Sequence, residues 1–317
     1  MIKNLNLVVI ALALGHQTAS ATSLLETFGS EDNAFTMDFV TIGNPGNAAD
    51  TTGSPNPAGS VAYTYNLGKY EVSRDQIIKA NAAGSLGITL QDMSSYGGNG
   101  LLKPATGISW YEAAKYVNWL NTSSGGTAAY KFVGGTFQLW SAGDAGYNAN
   151  NMFRNSLAKY VIASSNEWYK GAYGKGDGSW SNFPNGTDSA PTAVAGGTAA
   201  NTAVYGQSSS TGPADITSAG GLSAYGTMGQ AGNVWEWNET AYDGSNNTAG
   251  ETRERRGGSW YDISPGLDAS SLNNSSPSYE FYRYGFRVAS VPEPSTGLLV
   301  LLGLSGLLLK RRKTGTL

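Results

Sequence analysis

Apolar positions along this chain follow two rhythms. One is helical. Ser73-Arg74-Asp75-Gln76 leads into Ile77 and Ile78, and Ser164-Ser165-Asn166-Glu167 leads into Trp168 and Ala172. Ser109-Trp110-Tyr111-Glu112 opens a face made of Trp110, Ala113, Ala114, Val117 and Leu120. Each opening is a capping box: the Ser oxygen accepts from an orphan backbone N–H, and Gln or Glu reaches back to the cap. Three helices are predicted there. The other rhythm is short and strand-like, over Phe35–Ile42, Ala62–Tyr70, Val234–Trp237, Glu254–Trp260 and Phe281–Ala289. Stretches rich in Gly, Ser, Thr, Asn and Ala at 43–60, 121–151, 185–224 and 243–250 read as loops. Short helices and short strands in so much loop predict the α+β class. We expect one continuous domain over residues 37–289, after a polar entry segment at 22–36.

The two ends follow neither rhythm. Lys3, the apolar run Leu7–Leu14 and the small residues Ala19-Ser20-Ala21 stand in the order of a secretory signal peptide over 1–21, cut after Ala21. At the other end, Val291-Pro292-Glu293-Pro294 precedes the apolar run Gly297–Leu309 and the basic cluster Lys310-Arg311-Arg312-Lys313. A helix of that apolar run is about 20 Å long against a hydrocarbon core of ~30 Å, which suits transient retention in a membrane. The basic cluster belongs on the cytoplasmic side. This three-part end, at 291–313, resembles the PEP-CTERM sorting signal of Gram-negative bacteria. The resemblance implies an exosortase and the secretion machinery as partners, with processing around Pro292, Glu293 and Pro294. It also implies delivery to the cell surface or extracellular matrix, often in bacteria that make exopolysaccharide.

Composition then removes most chemistry. Glycine is 43 of 317 residues, about twice the usual ~7% share, in keeping with loops. The chain has 0 cysteines, and its 1 histidine is His16, inside the expected signal peptide. Without thiolate or imidazole, Ser-His-Asp and Cys-His catalysis, thiolate zinc sites and iron–sulfur ligation are excluded from the mature chain. Loss of both ends removes Lys3, Lys310, Arg311, Arg312 and Lys313 against Glu293 alone, so the remainder is more acidic. That is a poor footprint for nucleic acid or anionic lipid.

Four segments occur in a telling order. They are Tyr70-Glu71-Val72-Ser73, then Ile108-Ser109-Trp110-Tyr111-Glu112-Ala113-Ala114, then Ser164-Ser165-Asn166-Glu167-Trp168. The last pairs Gly232-Asn233-Val234-Trp235-Glu236-Trp237 with Arg255-Arg256-Gly257-Gly258-Ser259-Trp260, closing on Tyr284-Gly285-Phe286-Arg287-Val288. Together they resemble the formylglycine-generating enzyme (sulfatase-modifying factor) family. The resemblance implies an elaborated C-type-lectin-like fold. In that family a cysteine pair after the Gly-Gly-Ser-aromatic motif binds copper and handles a substrate thiol. The matching positions here are Asp262 and Leu267, so no catalytic residue, copper or iron is expected to carry over.

The resemblance also implies structural calcium, a hard cation that takes 6–8 oxygens. One site would use the Gly232 and Val234 carbonyls and the Glu236 carboxylate, although a family Asn is Gly229 here. A second would use Asn201 and the Thr202 carbonyl. The alternative is that Glu236 is satisfied within the sheet. Trp235, Trp237 and Trp260 fit either a core or a sugar-stacking platform. Arg283 and Arg287 fall on one strand face and fit either a substrate clamp or pairing with carboxylates such as Glu236 or Asp262. Trp260, Arg283 and Arg287 are the ligand-binding candidates. Arg253-Glu254-Arg255-Arg256 reads as a solvated strand edge. Glu236 with Glu239, or Asp262 with Asp268, is the glycosidase-type pairing to weigh. The expectation is an exported, non-catalytic domain that binds an extracellular ligand such as polysaccharide. The competing expectation is an enzyme of the family with altered chemistry.

Overall fold

All three capping boxes form. In the computed structural model, which describes residues 23–292, both reciprocal bonds are present at Ser73–Gln76, Ser109–Glu112 and Ser164–Glu167. In chain order, β1 is Ser23–Phe28, β2 Phe35–Ile42, β3 Tyr65–Gly68, α1 Arg74–Gly84 and α2 Trp110–Ser123. There follow β4 Lys131–Val133, β5 Thr136–Gln138, β6 Tyr160–Ile162, α3 Ser165–Tyr173, β7 Thr192–Ala193 and β8 Thr202–Ala203. The chain closes with β9 Trp235–Ala241, β10 Arg253–Arg256, β11 Asn273–Ser275, β12 Tyr284–Phe286 and β13 Val288–Ser290. The signal peptide at 1–21, with Ala21, and the tail from Glu293 and Pro294 onward lie outside the described residues.

Two sheets organise the domain. A five-stranded sheet has the order β1-β2-β3-β13-β6, and a four-stranded sheet the order β11-β10-β9-β12. The first is antiparallel throughout, whereas β9 and β12 pair in parallel. Side chains bridge the two edge strands of the first sheet, β1 and β6. Lys159 beside β6 reaches Glu26 of β1 at 2.8 Å, and the Tyr160 hydroxyl donates to the same carboxylate. Tyr160 also packs edge-on against Phe28 at 5.0 Å.

The core is aromatic. Trp110, the first residue of α2, is fully buried among Tyr130, Phe137 and Phe153, with ring centroids 5.1, 5.1 and 6.1 Å away. Its indole N–H donates to the Asn238 carbonyl at 3.0 Å, so the one polar atom brought inside is satisfied. That bond and packing fix α2 against β9.

Three expectations change. Residues 23–28 of the expected entry segment form β1, which pairs with β2 from Ser23↔Val40 to Phe28↔Phe35. The strand expected over Phe281–Ala289 is broken at Arg287, where the chain leaves β9 and enters between β3 and β6. Arg253, Glu254, Arg255 and Arg256 are not a solvated edge but are all buried, because β11 covers the far side of β10. Their guanidiniums lie on aromatic rings, with Arg253 3.9 Å from the Phe153 centroid and Arg255 3.9 Å from Tyr284.

Candidate functional site

The turn after β10 builds the site. Gly257 and Gly258 have φ of +93° and +74°, which side chains disfavour. A Cβ on Gly257 would meet the Gln230 carbonyl at 3.0 Å and the Trp168 ring at 3.2 Å. This tight reversal sends Ser259–Asp262 back across the end of β9. There Asp262 becomes the hub. Its Oδ2 accepts from the Ser259 N–H at 3.0 Å, the Ser259 hydroxyl and the Trp235 indole at 2.8 Å. Its Oδ1 accepts from Arg283 at 3.2 Å. The Asp262 and Arg283 side chains keep 26% and 20% of their surface open.

Aromatic residues surround this pair. The Arg283 guanidinium lies 5.0–5.5 Å from the rings of Phe281, Tyr261 and Tyr282. Tyr282 stacks on Tyr96 at 4.3 Å. Tyr261 and Ile263, on either side of Asp262, are 49% and 70% exposed. Behind them Arg255 donates to Asn273 and Asn274 at 3.0 and 2.9 Å, and burial brings its pKa down to about 10. The result is a partly open polar spot, one carboxylate and one guanidinium, framed by aromatic rings. It can hold a hydroxyl-rich ligand by hydrogen bonds and stacking.

The other two ligand-binding candidates sit elsewhere. Trp260 is wholly buried, its ring edge-on to Tyr282 at 5.8 Å. Arg287 is wholly buried and bidentate on Glu236, with both contacts at 2.6 Å. It also donates to the Gly68 and Met228 carbonyls at 2.8 and 2.9 Å. Neither side chain can meet a ligand from solvent, so the expectation for both is corrected. Of the pairing alternatives raised by the sequence, both form: Arg287 with Glu236 and Arg283 with Asp262. Leu267 is buried under the Gly258 turn.

The glycosidase-type pairs do not assemble. Glu236 and Glu239 are fully buried, and Glu239 is held by Arg154 at 2.8 Å, Tyr130 at 2.8 Å and Asn151 at 2.6 Å. Asp268 spends its Oδ1 on Ser270, while Asp262 serves its own loop.

Of the calcium candidates, the Glu236 carboxylate and the Asn201 and Thr202 carbonyls are engaged within the chain. Glu236 accepts from Arg287 on both oxygens and from the Trp168 indole at 2.7 Å. Gly229 has no side chain to offer, and a Cβ there would meet the Glu71 carboxylate at 3.1 Å. Glu71 fills that space, accepting from Asn233 at 2.6 Å and from the Val234 N–H at 3.2 Å. Burial and the nearby Glu236 push the Glu71 carboxyl well above its usual range. At the second position the Asn201 carbonyl accepts from Thr192 and the Thr202 carbonyl from Gly221. Among the described residues no three acidic, histidine or cysteine side chains converge. At the first position, Arg287 holds the carboxylate that a calcium ion would need.

Tyr261, Ile263, Tyr282 and Tyr96 carried no motif, and the one signal for them was exposed apolar residues beside Asp262 in a glycine-bounded loop. Glu71 was visible only as part of the Tyr-Glu-Val-Ser segment.

A five-stranded antiparallel sheet, a short aromatic four-stranded sheet and long loops define an elaborated C-type-lectin-like α+β domain. The chain belongs to the sulfatase-modifying factor enzyme 1-like domain family, whose model matches residues 31–291. A PEP-CTERM protein-sorting motif matches residues 290–313. Among solved structures, Treponema denticola variable protein 1 is similar at 21% identity and TM-score 0.60, over 86% of this chain and 100% of that one. CarF is similar at 18% identity and TM-score 0.56, over 81% and 98%. PvdO from Pseudomonas aeruginosa is similar at 16% identity and TM-score 0.52, over 84% and 98%. At such identities the likeness is one of fold. A comparison with curated proteins gives no match. The sorting motif implies export and surface or extracellular placement in bacteria by an exosortase. No helix of the described residues is long and apolar enough to cross a membrane.

Proposed function

We propose that the domain is a non-catalytic binding module, displayed at the surface or in the matrix of a Gram-negative bacterium, whose Asp262–Arg283 face holds polysaccharide. One observation carries this reading. Where the family's enzymes place a cysteine, Asp262 is a partly open carboxylate fixed by Ser259, Trp235 and Arg283 and flanked by exposed Tyr261 and Ile263. Loops on a rigid scaffold are where recognition residues gather. The chain from Arg283 to Pro292 runs through two successive strands, so up to ~30 Å of extended backbone separates the face from the point where the tail departs.

Glycan-array binding of the purified protein, with and without chelator, tests the reading. Acidic or neutral polysaccharide binding that falls at least about tenfold in Arg283→Ala and Tyr261→Ala, a loss of ~1.4 kcal/mol or more, supports it. Silence on the array under both conditions removes it. Turnover of a peptide thiol with copper and oxygen overturns the non-catalytic assignment.

A further inference from the structure

The last strand of the fold runs directly into the sorting motif. β13 is an interior strand: Ala289 pairs with Leu67 of β3 and Val161 of β6, and Ser290 with Asn66 and Tyr160. Val288, Ala289 and Ser290 are buried. Val291 adds one more bond, its N–H donating to the Lys159 carbonyl at 2.8 Å. Pro292, the next residue, is exposed and has no N–H to give. No linker stands between the final bond of the sheet and the Pro-Glu-Pro sequence.

A peptide bound in a cleft is held as an extended strand, by main-chain hydrogen bonds over several residues. Ser290 and Val291 already use their main-chain groups in the sheet. Freeing them means breaking sheet bonds on both flanks of an interior strand, to Asn66 and Tyr160 at Ser290 and to Lys159 at Val291. We infer that the folded domain itself sets the cutting position. The membrane peptidase acts on a peptide bond C-terminal to Pro292, and the sheet is a steric stop on its N-terminal side. Water adds across that carbonyl–nitrogen bond, leaving a carboxylate on the domain and an amine on the released tail. The peptidase must approach the rim around the exit, a groove of about 420 Å³ lined by Thr64, Asn66, Lys159 and Val291.

This inference rests on the tail being a processed sorting signal, and the experiment separates the two. Full-length precursor is incubated in detergent with membranes of its native host and followed by intact mass. A second precursor carries six Gly/Ser residues inserted between Val291 and Pro292. The wild-type product is expected to retain Pro292, and the insertion to speed cleavage several-fold. A product ending at or before Val291, or an unchanged rate on insertion, overturns the steric stop. Two precursors that both stay intact overturn processing, and with it this inference.

Discussion

Lys170 shows what a single buried charge does here. Its residue is buried in α3, and its ammonium makes one hydrogen bond, to the Asn44 carbonyl at 2.8 Å. Burial brings its pKa down to about 8. Between pH 8 and its ordinary value near 10.5, the unfolded chain keeps a proton that the native chain has lost. Native stability therefore rises with pH across that window and is lowest below it. Lys170→Met should unfold at higher urea than wild type at pH 7, and its urea midpoint should lack the rise between pH 8 and 10.5. A wild-type midpoint that stays flat over the same range would count against this. At this scale the sequence spoke unevenly. The spacing of Arg283 and Arg287 put both on one strand face, and the family resemblance suggested carboxylate partners such as Glu236 or Asp262; which arginine takes which acid emerged only in the fold. The burial of Arg253, Arg255 and Arg256 was not legible. A charged run announces solvent, and nothing local says that Phe153, Tyr284 and a third strand will close over it.

Elements were read best where the signal is short-range. The capping boxes involve atoms three residues apart, so the sequence alone held the bonding pattern. Ser109→Ala removes the acceptor for the Glu112 N–H and the Glu112–Ser109 hydroxyl bond, at the start of the helix that anchors Trp110. It should cost about 1 kcal/mol in urea denaturation, with the slope unchanged. A loss below the error of the measurement would show that Trp110 packing holds the helix start unaided. β1 was missed for the opposite reason. Its outward Leu24 and Leu25 and its polar neighbours give no alternation, and its pairing is dictated by β2. The sheet switch at Arg287 was likewise hidden, since one continuous strand pattern cannot show which sheet each half joins.

Across the whole molecule, Arg154 ties distant segments together from a long loop. It is bidentate on Glu167 at the start of α3 and also holds Glu239 of β9, while Tyr63 donates to Glu167 at 2.6 Å. Burial alone would raise the Glu167 pKa, but Arg154, Tyr63 and the Ser164 N–H bring it to about 2. A carboxyl lowered in the native state stabilises above its unfolded value, and that share is lost as pH falls from about 4.5 toward 2. Arg154→Ala strands two buried carboxylates and should cost about 3–5 kcal/mol. Its acid unfolding, followed by near-ultraviolet circular dichroism, should begin at higher pH than wild type. Coincident acid transitions would show that the network does not set acid stability. No composition or motif pointed to Arg154, whose carboxylate partners Glu167 and Glu239 lie on two separate segments.

The placement of β13 between two partners also bears on mechanical load. If the mature protein is held by its last residues while a captured polymer is dragged by flow, tension passes lengthwise along that buried strand. Its bonds on both flanks are then stressed together in shear, instead of being peeled apart singly. A module hung this way resists being stripped from its mooring, although the strand itself is only Val288–Ser290.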